Sequence, residues 1–182
     1  MSLHADALDV LRAWSPPSEP QAVLRDEYVA HLAAHPNGCT RKCFPDHLTA
    51  SALVLSADRA RVLLTLHAKA NEWFQLGGHC EPSDLTLAGA AGREAEEESG
   101  IVGLTLDPEP VHLDRHAVGF CDPRGTVHHL DVRFLAVADD DAVPVTSAES
   151  HDVRWWSVRE LPTAEPGIRE LIELAVSRAR RG

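Results

Sequence analysis

Two hydrophobic rhythms run along this chain. Over residues 4–14, Ala7, Leu8, Leu11 and Trp14 fall at helical spacing, and Pro16 and Pro17 then stop the helix. A second helix is predicted over 20–34 on the stripe Val23, Leu24, Tyr28, Val29 and Leu32. Residues 35–45 form a loop by their Pro, Asn and Gly content. The rhythm then changes to strands over 48–56 and 61–67, joined as a hairpin through 57–60. A polar loop over 68–72 gives way to 73–76, which leads into Gly77 and Gly78. Further strands are expected over 111–118 and 127–138, linked by the turn-rich Cys121, Asp122, Pro123, Arg124 and Gly125, and a short one over 153–156. In that last strand Trp155 and Trp156 face opposite ways, one to the core and the other to solvent or ligand. An amphipathic helix over 165–180 closes the chain, with Ile168, Leu171, Ile172 and Ala175 as its stripe.

The strand pair carries polar rows. His112, Asp114 and His116 share one face of the first strand, and His129, Asp131 and Arg133 one face of the second. Such rows either line a pocket that reads sugar or phosphate groups, with Arg133, His129 and Arg115 as candidate substrate contacts, or form the wet side of an antiparallel pair.

The most unusual segment is residues 77–101, GGHCEPSDLTLAGAAGREAEEESGI. Pro82, Ser83 and Asp84 mark a turn into a helix that Gly100 ends. A helix C-terminus carries partial negative charge, yet Glu94, Glu96, Glu97 and Glu98 crowd this one. Glu94, Glu97 and Glu98 stand at i, i+3 and i+4, so their carboxylates share a face and each like-charged pair costs about 0.2–0.5 kcal/mol. A divalent cation such as Mg²⁺, which takes oxygen ligands and keeps positions for phosphates and water, rewards that arrangement. An ordinary solvated acidic face is the competing explanation. Ala88, Ala91, Gly92, Ala95 and Ser99 fall on an adjoining face, where small side chains let the helix lie against a sheet; close packing is the expected reason for Gly92.

Gly78 and the run Arg93, Glu94, Ala95, Glu96, Glu97, Glu98, Ser99, Gly100, Ile101 resemble the Nudix box, G-x5-E-x7-R-E-U-x-E-E-x-G-U with U a bulky aliphatic residue. The second half matches closely, with Ala95 smaller than the usual U. In the first half Asp84 stands where the motif has Glu, and eight residues rather than seven separate it from Arg93. The resemblance implies an α/β fold, a Nudix-like α/β/α sandwich with a mixed β-sheet over 41–182, preceded by a helical extension over 1–40. It also implies a Mg²⁺-dependent hydrolase, with Mn²⁺ as a substitute, that cleaves a diphosphate linkage in a nucleoside diphosphate derivative or similar small molecule. Gly78, Glu94, Glu97 and Glu98 are then the expected metal ligands. Glu98, Glu97, Arg93 and Glu149 are the candidate catalytic residues, with Glu98 or Glu149 as general base.

Composition narrows the partners. In 182 residues with 44% hydrophobic content there is enough chain for a globular core. The net charge of −11 repels nucleic-acid backbones, which leaves a phosphorylated small molecule as the expected substrate. No apolar run approaches the about 18 residues of a membrane span, and no signal-peptide core opens the chain, so the expectation is a cytoplasmic protein. The N-terminal helices are expected to cover a face of the core, cap the pocket or form a homodimer contact. Cys39 and Cys43 with His47 suggest a zinc corner of non-standard spacing, against the default of reduced thiols. Three alternatives to hydrolysis stand: an isopentenyl-diphosphate isomerase-like enzyme using Cys80 or Cys43 against a carboxylate, a non-catalytic Nudix module that senses a ligand, and a plain scaffold protein with an acidic helix.

Overall fold

The computed structural model of the chain describes residues 2–147 and 150–180. A seven-stranded mixed sheet is built around β1 (Asp46–Leu55), which is buried along almost its whole length. Seven of its ten residues are Ala, Leu, Val or Thr, which suits a strand covered on both faces. The long strand β6 (Gly125–Val137) runs parallel to it, in register from Asp46 opposite His128 to Leu55 opposite Val137. Beyond β6 lies β5 (His112–Asp122), antiparallel and joined to it by a tight turn at Pro123 and Arg124, where Asp122 pairs with Gly125.

The other edge of β1 serves two partners. Its C-terminal end pairs with β2 (Arg61–His67) through Val54 and Leu55, while residues 49–52 pair with β4 (Leu76–His79). This division splits the sheet, and β2 continues with β3 (Glu72–Phe74) on one side and β7 (Ser150–Ser157) on the other. Gly77 and Gly78 therefore lie inside a strand rather than in a loop before the helix. A Cβ on Gly77 would sit 2.3 Å from the Ser51 Cβ, so glycine is what lets β4 approach β1.

Helices cover both faces. On one, Leu48, Ala50, Ala52 and Val54 join Leu130, Val132 and Phe134 in a core completed by α1 (Leu3–Ala13), α2 (Glu19–Ala34) and α3 (Leu87–Ser99). On the other, Leu53, Leu55, Val62, Leu64 and Leu135 pack under Ile168, Leu171, Ile172 and Ala175 of α4 (Pro166–Ala179). Each Leu, Val, Ile or Phe among them, fully buried, contributes about 1.5–3 kcal/mol. Trp155 joins the first core and Trp156 the second, so the opposite orientations are as expected but both rings are half-buried against apolar neighbours.

The N-terminal helices pack on one face of the core. Ala7, Leu11, Tyr28 and Leu32 are fully buried, and Trp14 nearly so. The Gln21 side chain pairs with the backbone of Leu113 as a neighbouring strand would, donating to its carbonyl at 2.9 Å and accepting from its N–H at 2.7 Å. The Tyr28 hydroxyl donates to the Asp114 carbonyl at 2.7 Å. Together they satisfy backbone groups of β5 at Leu113 and Asp114 that would otherwise be unpaired at its edge.

Candidate active site

The helix that bears the acidic run starts later than the sequence suggests. Thr86 caps it by accepting from the Gly89 N–H, and the Asp6 carboxylate of α1 accepts from the Leu87 N–H at 2.8 Å. The helix ends as expected, with Gly100 at φ 69°, a left-handed conformation that glycine adopts without strain. Ala90, Ala91, Ala95, Glu98 and Ser99 are buried against the sheet. Gly92 is not forced by close packing. A Cβ there would meet the Leu106 Cδ1 at 3.6 Å, an ordinary contact.

Each glutamate of the run has a donor. Glu98 accepts from the Gly77 N–H at 2.8 Å, and Glu96 from the Gly103 N–H at 2.8 Å. Arg93 Nη1 lies 3.0 Å from Glu94 Oε1 and 3.2 Å from Glu97 Oε2. The repulsion read from sequence is thus offset within the helix and its neighbours. What remains distinctive is convergence, since Glu94 and Glu97 meet at one guanidinium nitrogen beside the glycine strand.

Arg93 is held from behind by Asp84, Nε to Oδ1 and Nη2 to Oδ2, both at 3.1 Å. This two-pronged pair is the geometry that makes Arg a positioning group. Asp84 therefore reaches the arginine despite its shorter side chain and the extra residue. It also accepts from the Glu81 N–H at 2.7 Å, so the 81–84 turn and the brace form one unit. Arg93 Nη2 further donates to the His79 carbonyl at 3.0 Å, which ties the helix to β4, and the acidic partners, Asp84 first, hold its pKa well above the ordinary value.

Gly78 completes this corner. A Cβ there would lie 2.7 Å from Glu94 Oε2, so the missing side chain is what lets the carboxylate close on the strand. The donor set, three carboxylates beside a glycine backbone, is all oxygen and suits a hard dication. Glu97 is the exposed member and Glu98 is buried. A carboxylate oxygen accepts more than one bond, so the Gly77 contact orients Glu98 without exhausting it. Glu149 lies outside the described residues.

The polar rows do share a face, with His112 opposite Arg133, Asp114 opposite Asp131 and His116 opposite His129. Apart from His116, which is exposed, they are not a wet surface. Asp131 is 3% exposed and accepts from Thr49, Ser51, Gln75 and Arg133. Arg133, 4% exposed, is clamped between Asp131 and Asp114, each at 2.9 Å. A guanidinium so committed braces the interior and is not presented to a ligand, in contrast to its expected substrate role. Burial raises the Asp114 pKa, but the His116 hydrogen bond and the Arg133 charge outweigh it and bring it to about 2. Arg115 is exposed, on the other face, and bridges to Asp46 at 3.2 Å.

His129 falls into a group that sequence spacing missed. His47, His79, Cys121 and His129 bring their ligating atoms within 4.8 Å of one another, at the end of the sheet where β1, β4, β5 and β6 meet. His47 was singled out with Cys39 and Cys43, yet neither cysteine joins this group; Cys43 Sγ lies 4.0 Å from His31 Nε2 instead. The missing signal was register, because only the parallel pairing of β1 with β6 sets His47 opposite His129. Burial raises the pKa of the Cys80 and Cys43 thiols, so neither is a poised nucleophile for isomerase chemistry.

Comparisons with known proteins agree with this fold. Curated proteins yield no significant match. Among solved structures, a NUDIX-family hydrolase from Clostridium perfringens is 25% identical, with a TM-score of 0.54 over 74% of this chain and 97% of that one. The NUDIX domain of Shewanella oneidensis NrtR, solved with ADP ribose, is 24% identical, with a TM-score of 0.55 over 74% of this chain and 88% of that one. The E. coli dihydroneopterin triphosphate pyrophosphohydrolase is 17% identical, with a TM-score of 0.59 over 71% and 95%. The family model described as the NUDIX domain matches residues 45–175, most of the chain including β1, the glycine strand and α3, and the chain belongs to the NUDIX family of hydrolases.

Proposed function

We propose that this protein is a Mg²⁺-dependent hydrolase of a diphosphate linkage in a nucleoside diphosphate derivative or a chemically similar small molecule. The observation that carries this is the clamped corner at the end of α3, where Glu94 closes on Gly78, Glu98 is fixed to Gly77, and Asp84 and Arg93 hold the assembly from behind. Glu94, Glu97 and Glu98, with the Gly78 carbonyl, are the groups that would hold the dication. Bound there, it supplies charge neutralisation of phosphoryl oxygens and a lowered pKa for water.

The chain's own residues do the rest. Arg93 balances the carboxylates and sets their spacing, and the two glycines let helix and strand approach. Glu98, oriented by the Gly77 N–H, is the group we assign to orienting or deprotonating the attacking water, with Glu149 as the second candidate. Of the three expected substrate contacts, Arg133 and His129 are engaged inside, and Arg115, exposed but paired with Asp46 at 3.2 Å and Glu27 at 3.9 Å, would have to leave those carboxylates to meet an anionic substrate. The substrate class also finds support in two similar structures, one holding ADP ribose and one named for a pyrophosphohydrolase of a pterin triphosphate.

The test is release of phosphate-bearing products from a panel of nucleoside diphosphate derivatives with and without Mg²⁺. We expect Mg²⁺-dependent turnover in the parent, and a loss of at least about 100-fold in kcat for Glu98→Gln, which keeps an oxygen for the Gly77 N–H. No turnover across the panel, or equal turnover by the variant, would overturn the assignment.

A further inference from the structure

The group formed by His47, His79, Cys121 and His129 lies outside the carboxylate corner and has different chemistry. Three imidazoles and a thiol are poor ligands for Mg²⁺ but suit Zn²⁺ and similar borderline dications. Its geometry is close to that of a filled tetrahedral site. At ordinary Zn–N and Zn–S bond lengths, two nitrogens lie about 3.3 Å apart and a nitrogen and a sulfur about 3.6 Å. Here His79 Nε2 is 3.1 Å from His47 Nε2, and Cys121 Sγ is 3.4 Å from both His79 Nε2 and His129 Nε2. With all ligating atoms within 4.8 Å, the remaining pairs need to close by at most about 1.5 Å.

The tautomer of His47 is also set for ligation. Its Nδ1 lies 3.1 Å from the Cys43 carbonyl oxygen, which can only accept, so Nδ1 carries the proton and Nε2 turns its lone pair toward the group. A backbone carbonyl on the far ring nitrogen is the usual outer support of a metal-bound histidine. His47 and Cys121 are buried, while His79 and His129 are half-buried and leave a way in. The ligands come from four strands, so an ion there would cross-link the end of the sheet.

We propose that His47, His79, Cys121 and His129 form a second, structural metal site for Zn²⁺ or a like cation, distinct from the carboxylate corner. All four positions of a tetrahedron are taken by protein, as in structural rather than catalytic zinc sites. On binding, the Cys121 thiol gives up its proton to solvent and the thiolate takes the metal. The site also bears on the first one. The carbonyl of His79 holds Arg93 Nη2 at 3.0 Å, and Gly78 is the adjacent residue, so fixing the His79 ring fixes the strand against which Glu94 closes.

The experiment needs no substrate, so it is decided independently of the diphosphate chemistry. Chelator-treated protein in excess Mg²⁺ is titrated with Co²⁺ and followed by absorption. The expected result is one equivalent of tetrahedral Co²⁺ with a thiolate charge-transfer band, displaced by Zn²⁺. Cys121→Ser is expected to abolish that band and to weaken Zn²⁺ binding by more than about 100-fold, because loss of a ligand should exceed the 10–100-fold cost of losing an outer support. Cys39→Ser and Cys43→Ser should keep both. Zn²⁺ should also raise the Tm of the parent and leave that of His129→Gln almost unmoved, a readout that stands if Cys121→Ser does not fold. Absence of the band in the parent, its survival in Cys121→Ser, or no shift of Tm with Zn²⁺ would show a merely hydrogen-bonded histidine group and overturn the proposal.

Discussion

At the scale of single residues, the corner is made by what is absent as much as by what is present. Gly77 and Gly78 remove two side chains, and a backbone N–H and a carboxylate come together in the space. Gly77→Ala places a Cβ 2.3 Å from that of Ser51, with β4 unable to move away without losing its pairing to β1. We expect a loss of about 3 kcal/mol or more, seen as a fall in Tm, together with loss of turnover. Gly92 differs, because its helical position leaves room for a methyl group. Gly92→Ala should therefore stabilise the protein by about 0.5–1 kcal/mol in chemical denaturation, with turnover retained.

At the scale of elements, how much the sequence revealed follows from how local each cause is. The C-terminal end of α3 and the faces of β5 and β6 were legible, since a glycine cap and period-two alternation act within a few residues. The resemblance in the Arg93–Gly100 run also located the carboxylates. Three things were not legible. The clash that makes Gly77 a strand residue comes from Ser51, far away in sequence. The compensation of the glutamates comes partly from the Gly77 and Gly103 backbones, so the repulsion that first drew notice to the run is weaker evidence than the convergence at Arg93. The histidine group depends on which strand lies beside β1, and alternation cannot say that. Arg133 shows the same limit, because only pairing reveals that Asp114 of the neighbouring strand holds it together with Asp131 of its own.

At the scale of the whole molecule, a buried polar layer runs through the fold beside the apolar cores, and it sets the response to acid. Asp114 has a folded pKa of about 2, below the value of about 3.9 for an unfolded chain, so it stabilises the fold above about pH 4 and that contribution is lost as pH falls toward 2. Partial exposure holds its size to about 1–2 kcal/mol. His112 acts earlier. Burial and then Arg133 lower its pKa, so the unfolded chain binds the proton more readily and stability begins to fall below about pH 6.5. Burial likewise lowers the pKa of His31, His47, His79 and His129, so urea midpoints measured from pH 8 to pH 3 should decline in two stages, and His112→Asn should remove part of the first. The same whole-molecule view joins α3 to the glycine strand as the place where a dication and a substrate's phosphates meet. That claim is tested most directly by the affinity for Mn²⁺, followed by electron paramagnetic resonance, in the parent and in Glu94→Gln and Glu98→Gln proteins of unchanged fold. The account predicts binding to the parent that Mg²⁺ displaces, weakened at least about 10-fold in each variant; Mn²⁺ affinity equal in all three would contradict it.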